Sequence, residues 1–190
     1  LAEILIETGR LIESLDLLTC GGDDLPRDPI LSAALGRTLD RMDRPTEALA
    51  AYRAVFEHPL AKVPASALLI AGEGLARLHP PIESRRVFED LLAARPGDPV
   101  PHLLLARLAE TAEGAAAAER RLRQAVRACG PLPALQYALG DLLNRCGRRT
   151  EADGLFRVLA RRHPRSPWGY RGLGDLALAS DPERALVYYA

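Results

Sequence analysis

Residues 133–164 read PALQYALGDLLNRCGRRTEADGLFRVLARRHP, and this stretch joins two apolar patterns through a short polar turn. The first half carries leucines four residues apart at Leu135 and Leu139, and the second half carries Phe156 and Leu159 three residues apart. Spacings of three and four residues place side chains on one face of an α-helix. The final proline ends the second pattern, because proline removes a backbone donor and clashes with the preceding turn. The stretch therefore predicts a helical hairpin.

The same arrangement recurs along the chain at intervals of 36, 34, 34 and 34 residues. In each copy a small residue follows an apolar one. Twelve positions later in the first four copies another small residue occurs, and four positions after that comes a large apolar or aromatic residue; the fifth copy is one residue shorter in its turn. The small residues that set the period are Gly36, Gly72, Ala106, Gly140 and Gly174. The large residues are Tyr52, Phe88, Leu122 and Phe156.

Helix packing explains why these positions alternate between small and large residues. A glycine or alanine where two helices cross lets their backbones approach, and the large side chain fills the space beside it. One hairpin cannot bury its apolar face alone, so neighbouring hairpins are expected to stack. A period of this length is therefore typical of a repeat architecture.

The pattern resembles the tetratricopeptide repeat (TPR), and the resemblance covers nearly the whole chain. It implies an all-α fold, a right-handed superhelical solenoid of antiparallel helix-turn-helix hairpins. The chain departs from the TPR pattern at the early aromatic position. The residues at that position are Ser32, Leu68, His102 and Gln136, with an aromatic only at Tyr170.

The register divides the chain into repeats of a single solenoid domain. Residues 1–28 are the remainder of an earlier repeat with its connection, and the last repeat is truncated. The repeats that follow are 29–64, which has two added residues, and then 65–98, 99–132, 133–166 and the truncated 167–190. Because the pattern breaks off at both ends, we expect the sequence to be a piece of a longer protein.

Composition excludes several classes of partner. Charged residues make up 26% of the chain and the formal net charge is zero, so no general attraction to nucleic acid or to a membrane surface is expected. No apolar run is long enough to span a bilayer, and no signal peptide is visible. We expect a cytoplasmic protein, or a periplasmic one if a signal peptide lies outside the sequence. The densest basic cluster, which we interpret as a solvated helix face, is Arg120, Arg121, Arg123 and Arg127.

No set of residues with metal-binding or catalytic spacing is present, so we predict no metal, no cofactor and no enzymatic activity. Three histidines precede a proline, where we expect them to cap helix ends: His58, His79 and His163. The cysteines are Cys20, Cys129 and Cys146. In the repeat register Cys129 and Cys146 end helices at opposite edges of the stack, about 20 Å apart, too far for a disulfide.

The TPR resemblance implies that the first helix of each repeat lines a concave groove. By register this groove has an apolar edge beside a polar floor. The residues that we predict to contact a partner are Arg37, Arg41, Glu73, Arg77, Arg107, Tyr137, Asp141, Arg145, Trp168 and Arg171. The thirteenth place of the last repeat, which continues the row of Arg41, Arg77 and Arg145, is Ala179.

Two interpretations of the charged floor remain open. Residues at the ninth place alternate in sign along the chain and could pair with one another across adjacent helices: Arg37, Glu73, Arg107 and Asp141. Alternatively, arginine forks such as Arg77 and Arg145 bind carboxylates of a partner. Tyr137 and Trp168 are the predicted anchors, because aromatic residues dominate interface hot spots. Trp168 could instead serve only to pack the last two repeats.

These features predict a non-catalytic TPR adaptor of bacterial type that binds a peptide or protein segment in the groove. The alternative is a TPR arm of a larger enzyme, such as a bacterial glycosyl- or sulfo-transferase. Self-association through the end repeats is a third hypothesis. The lysine and asparagine clamp of co-chaperone TPR proteins is absent. The asparagine ladder of sugar-transferring members is absent too.

Overall fold

The structure is a computed structural model that describes residues 1–19, 28–178 and 181–189, and every regular element in these ranges is helical. Cys20 and Ala179 lie outside the described residues. The chain divides into two compact units, Leu1–Pro96 and Gly97–Ala190. The N-terminal unit contains α1 (Ala2–Glu7), α2 (Leu11–Thr19), α3 (Pro29–Arg41), α4 (Pro45–Glu57), a 3-10 turn (Leu60–Lys62), α5 (Ala65–Leu78) and α6 (Pro81–Ala94). The C-terminal unit contains α7 (Pro99–Glu113), α8 (Ala115–Cys129), α9 (Pro133–Arg145), α10 (Arg149–Arg162), α11 (Pro167–Leu178) and α12 (Pro182–Tyr189).

Local sequence explains most helix boundaries. Many helices begin with proline, whose fixed φ suits the first turn and whose missing N–H has no partner there anyway. The carboxylates of Asp28 and Asp98 cap α3 and α7 by accepting hydrogen bonds from backbone N–H groups, at 2.7 Å from Ile30 N and 2.9 Å from Val100 N. The turn after α9 contains Gly147 at φ 78°, a left-handed conformation that glycine adopts without strain.

In the N-terminal unit, consecutive helices pair as antiparallel hairpins, and α3 packs against both α4 and the next first helix, α5. The core includes the fully buried side chains of Ile6, Tyr52 and Leu68. The two added residues form part of the 3-10 turn region, and the Arg95 guanidinium fixes this segment by donating to the carbonyl of Val63 at 2.6 Å. The longer interval is thus absorbed between hairpins, so the hairpins themselves keep their packing.

In the C-terminal unit, α7 to α12 form three hairpins whose first helices, α7, α9 and α11, pack on one another in chain order. One continuous core contains Leu135, Leu143 and Phe156, each at most 1% exposed. The prediction of an all-α stack of antiparallel hairpins is therefore confirmed within each unit.

The helix crossings are built around aromatic rings held between glycines. A Cβ atom built on Gly140 would lie 2.4 Å from the Phe156 ring, and one on Gly172 of the next first helix would lie 2.3 Å from the same ring. In the N-terminal unit, Gly36 and Gly74 hold the Tyr52 ring in the same way. One glycine thus comes from the hairpin of the ring and the other from the next hairpin, so each ring joins two repeats.

The histidines occupy the predicted helix ends, since His58, His79 and His163 are the residues that follow α4, α5 and α10. The buried His79 ring does not bind the last carbonyls of α5. Its Nε2 atom lies 3.0 Å from the Glu83 carboxylate and contacts Arg53, so its partners are side chains of neighbouring second helices.

Candidate protein-binding surface

The first helices carry a row of arginines at their thirteenth place, and two of these bind carboxylates of the chain itself. Arg77 on α5 donates through both terminal nitrogens to Asp40 on α3, with one distance of 2.9 Å. Arg145 on α9 donates in the same way to Glu110 on α7, at 3.2 Å for the longer contact. In each pair the acid occupies the twelfth place of the preceding first helix. A partner carboxylate would therefore have to displace an intramolecular one at both positions.

The hydrogen bonds of these pairs shift the pKa values of their members. The hydrogen bond from Arg145 lowers the pKa of Glu110, with a smaller opposing effect from burial. The hydrogen bond to Asp40 raises the pKa of Arg77, and the charge of exposed Glu73, one turn away, adds a small effect in the same direction. Arg77 and Glu110 therefore stay ionised at neutral pH.

Arg41 and Arg37, which were also predicted to contact a partner, likewise contact groups of the chain itself. The Arg41 guanidinium donates to the carbonyl of Ile6 at 2.7 Å. Arg37 lies 3.5 Å from the Glu3 carboxylate, while its Nε atom is buried without an acceptor. These contacts join α3 to α1.

Within each unit, the ninth-place charges of the described residues do not pair with one another as their alternating signs suggested. Arg107 lies 3.4 Å from Glu110 on its own helix, and Asp141 lies 3.1 Å from Arg145 on its own helix. Among the described residues, no ion pair joins Arg107 to Asp141. Of the two interpretations left open for the charged floor, pairing between ninth places is therefore not the arrangement within the C-terminal unit, where both charges bind residues one turn away on their own helix.

The aromatic residues predicted as anchors come together on α9 and α11. The rings of Tyr137 and Trp168 are 4.9 Å apart between centroids, and the Arg171 guanidinium lies 5.5 Å and 5.9 Å from the two centroids. The Tyr137 hydroxyl donates to Asp175 at 2.9 Å, and the Tyr189 hydroxyl donates to the other oxygen of the same carboxylate at 2.6 Å. Trp168 thus contacts Tyr137 across adjacent repeats, as packing would require, while remaining partly exposed on the first-helix face.

Burial, followed by the hydrogen bond to Asp175, raises the pKa of Tyr137 to about 12. Its hydroxyl therefore remains protonated and continues to donate throughout the physiological pH range.

An apolar groove of about 470 Å³ in the N-terminal unit is lined by α1, α2, α3 and α5. Ile30 and Leu31 on α3 are 50% and 45% exposed there, an unusual exposure for large apolar side chains beside a core. Ala33, Ser66 and Ile70 continue the lining onto α5. Ile30, Ala33 and Ser66 occupy the second or fifth place of their helices, and by register these places were predicted to form the apolar edge beside the polar floor.

The register analysis missed the acidic partners. Asp40 and Glu110 occupy the twelfth place, and neither was predicted to contribute to the surface. The sequence does contain a signal for these pairs. An acid at the twelfth place of one repeat is followed by an arginine at the thirteenth place of the next repeat, 37 and 35 residues later in the two cases. The contribution of Tyr189 to this surface was also not predicted, because the repeat pattern gave this residue only a packing role.

The other groups considered for chemistry are spread over the structure. Cys129 Sγ lies 3.0 Å from His102 Nε2, and Cys146 is exposed after α9. Within the described ranges, no three metal-ligating side chains are gathered. No helix in these ranges has the length and hydropathy needed to cross a membrane. On the basic helix α8, Arg123 pairs with Glu119 at 2.8 Å, and Arg120 and Arg127 are exposed.

Comparisons with known proteins identify the fold. No family model and no curated protein matches the chain. A solved TPR protein from Parabacteroides merdae matches 99% of this chain and 73% of its own, with a TM-score of 0.64 and 18% identity. A thermophilic TPR protein from Thermus thermophilus matches 98% and 95%, with a TM-score of 0.59 and 20% identity. PilF from Pseudomonas aeruginosa matches 98% and 85%, with a TM-score of 0.55 and 16% identity.

Proposed function

With the TPR fold as the premise, we propose that this chain is a non-catalytic scaffold that binds a protein or peptide segment on its first-helix face. The observation that carries the proposal is the apolar groove of the N-terminal unit. Large apolar side chains that remain half exposed in a folded repeat are typical of surfaces that another chain covers. The charged side chains around this face hold one another in place, so they provide a polar rim of fixed geometry.

Two polar positions on second helices provide controls within the same molecule. Glu89 on α6 and Gln124 on α8 are exposed polar residues of the kind expected on a solvated face. A partner that binds the first helices should therefore contact Ile30 and Ser66 and should not contact Glu89 or Gln124.

Photo-crosslinking in the cell of origin tests this contrast. A benzophenone amino acid placed at Ile30 or Ser66 should give adducts with the same partner protein, identified by mass spectrometry. The matched controls carry the probe at Glu89 and Gln124. Adducts that form equally at the control positions, or only there, would show that the first-helix face is not the binding surface.

The same surface would serve a chain joined to a catalytic domain, such as a glycosyl- or sulfo-transferase. It would then position a substrate protein instead of a separate partner. The coding sequence on either side of these residues distinguishes the two arrangements directly.

Exposed apolar side chains on the terminal helices support self-association as a second candidate function. Ile4 and Ile12 are 63% and 69% exposed on α1 and α2, and Leu186 and Val187 are 69% and 75% exposed on α12. We infer that these helices could bind a second copy, because each leaves an apolar face uncovered. Light scattering over a range of concentrations should then show a mass above that of the monomer, and substitution of Leu186 and Val187 by serine should abolish it. A constant monomer mass would exclude this function.

A further inference from the structure

Arg171 differs from the other first-helix arginines in having no acceptor. Among the described residues, the other five each lie near a carboxylate or a carbonyl oxygen of the chain. Among the same described residues, exposed Arg171 makes neither an ion pair nor a hydrogen bond. It is held instead by the ring faces of Tyr137 and Trp168.

The carboxylate best placed to pair with Arg171 is already occupied. Asp175 lies one helical turn further along α11, at a spacing that favours an ion pair with Arg171. Both of its oxygens instead accept hydroxyl hydrogen bonds, one from Tyr137 on α9 and one from Tyr189 on α12. Within the described part of the chain, Asp175 therefore bonds the two tyrosines and forms no ion pair with Arg171, although its charge stays one turn away.

The aromatic rings fix the position of this unpaired charge. Cation–π contact with two rings restricts the guanidinium while its N–H donors remain unused. A planar fork held in this way can bind a carboxylate through two parallel hydrogen bonds with little further loss of side-chain freedom.

A cavity of about 580 Å³ adjoins Arg171. Its lining combines this one cation with apolar and aromatic side chains, including the highly exposed Val187. The lining residues are Pro167, Tyr170, Arg171, Val187, Tyr188 and Tyr189. A ligand that fills this cavity would therefore present one acidic group beside an apolar one.

We propose that Arg171 binds the side-chain carboxylate of an aspartate or glutamate in a partner segment, and that the cavity binds an apolar side chain next to it. This inference rests on the proposed function, because it names the chemistry of the segment that the scaffold would bind. A nucleic acid fits less well. The cavity supplies a single cation, and Trp168 and Tyr137 cover each other and are covered by Arg171, so they offer little free ring face to a base.

Selection from a random decapeptide phage library tests the chemistry without knowledge of the partner. The wild-type chain should select peptides enriched in Asp or Glu beside a large apolar residue. Arg171→Gln should lose the acidic preference and keep the apolar one. Arg165→Gln, which removes another exposed arginine of the same unit, should select as the wild type does.

The selected acidic peptide and its amide counterpart, with Gln or Asn at the acidic position, then serve as probes. Binding is followed by the fluorescence of Trp168, the one tryptophan of the chain. Arg171→Gln and the amide peptide should each weaken binding about tenfold, and the two changes together should weaken it no further. Tyr137→Phe keeps the ring but releases one oxygen of Asp175 toward Arg171, so it should weaken binding of the acidic peptide and leave the amide peptide unchanged.

The outcomes separate this inference from the proposed function. If peptides without acidic residues are selected equally by wild type and Arg171→Gln, the carboxylate site is refuted while peptide binding stands. If RNA of mixed sequence binds more tightly than the acidic peptide at physiological salt, the partner class is refuted. If no peptide is selected and Ile30 and Ser66 give no adducts in the cell, the proposed function fails and the inference fails with it.

Discussion

Replacing Gly140 by alanine tests the central packing contact of the C-terminal unit. The added Cβ would lie 2.4 Å from the Phe156 ring, whereas ordinary contact begins near 3.4 Å, so the ring would have to move by about 1 Å. Phe156 cannot move away freely, because its ring already fills the space beside Gly172 on its other side. A Cβ atom built on Gly172 would lie only 2.3 Å from the ring. The ring also contacts Tyr137 at a centroid distance of 5.8 Å.

The expected loss follows from two opposing contributions. Overpacking of this kind costs about 1–3 kcal/mol. Alanine in a helix interior recovers roughly 0.5–1 kcal/mol relative to glycine. Gly140→Ala should therefore lower the free energy of unfolding of the C-terminal unit by up to about 2.5 kcal/mol.

Gly154 on the neighbouring helix α10 is the matched control. It is exposed, and a Cβ atom built there meets no atom within 4 Å. Gly154→Ala should therefore raise the free energy of unfolding by about 0.5–1 kcal/mol. The two substitutions are chemically identical and should have opposite signs.

Urea unfolding followed by Trp168 fluorescence measures both variants, because the single tryptophan lies in the C-terminal unit. Gly140→Ala combined with Phe156→Leu should lose less stability than the sum of the single variants, since the smaller side chain leaves room for the new methyl group. A Gly140→Ala midpoint equal to or above that of Gly154→Ala would refute the proposed contact.

Four further substitutions test particular contacts by urea unfolding. Asp43 has φ 58°, so Asp43→Gly should raise the free energy of unfolding by about 0.5–1 kcal/mol, while Gly147→Ala at the equivalent turn should lower it by a similar amount. Among the described residues, the Oε1 atom of buried Gln136 has no hydrogen-bond partner, so Gln136→Leu should stabilise the C-terminal unit by about 1 kcal/mol; a loss of stability would show that this oxygen is satisfied. The Glu110 pKa is lowered by Arg145, so the stabilisation by this pair is present above the ordinary carboxyl pKa and is lost as the pH falls through the lowered value. Glu110→Gln should therefore cost about 0.5–1 kcal/mol at pH 7, and the difference from wild type should close only as the pH falls below the lowered pKa of Glu110; a difference that persists after this carboxylate is protonated would assign the effect to packing.

The charged surface contains contacts that were not predicted from the sequence. The spacing of Arg171 and Asp175 on one helix predicts an ion pair, yet Asp175 accepts from two tyrosines that lie 38 and 14 residues away in the chain. Local spacing cannot reveal this, because the competing donors come from other helices. The partner of Arg145 was also missed, since Glu110 becomes its neighbour only when α7 and α9 pack.

The sequence by itself determined the hairpins and their order. Periodic apolar residues, prolines at helix starts and small residues at crossings act within one or two helices, so a linear pattern can encode them. Tertiary structure alone decided which glycines hold each ring, with Gly172 and Gly74 meeting the rings of the preceding hairpins. It also decided which charges remain unpaired. Both depend on the rotation and offset of adjacent helices, and those are set by packing of side chains that are distant in the chain.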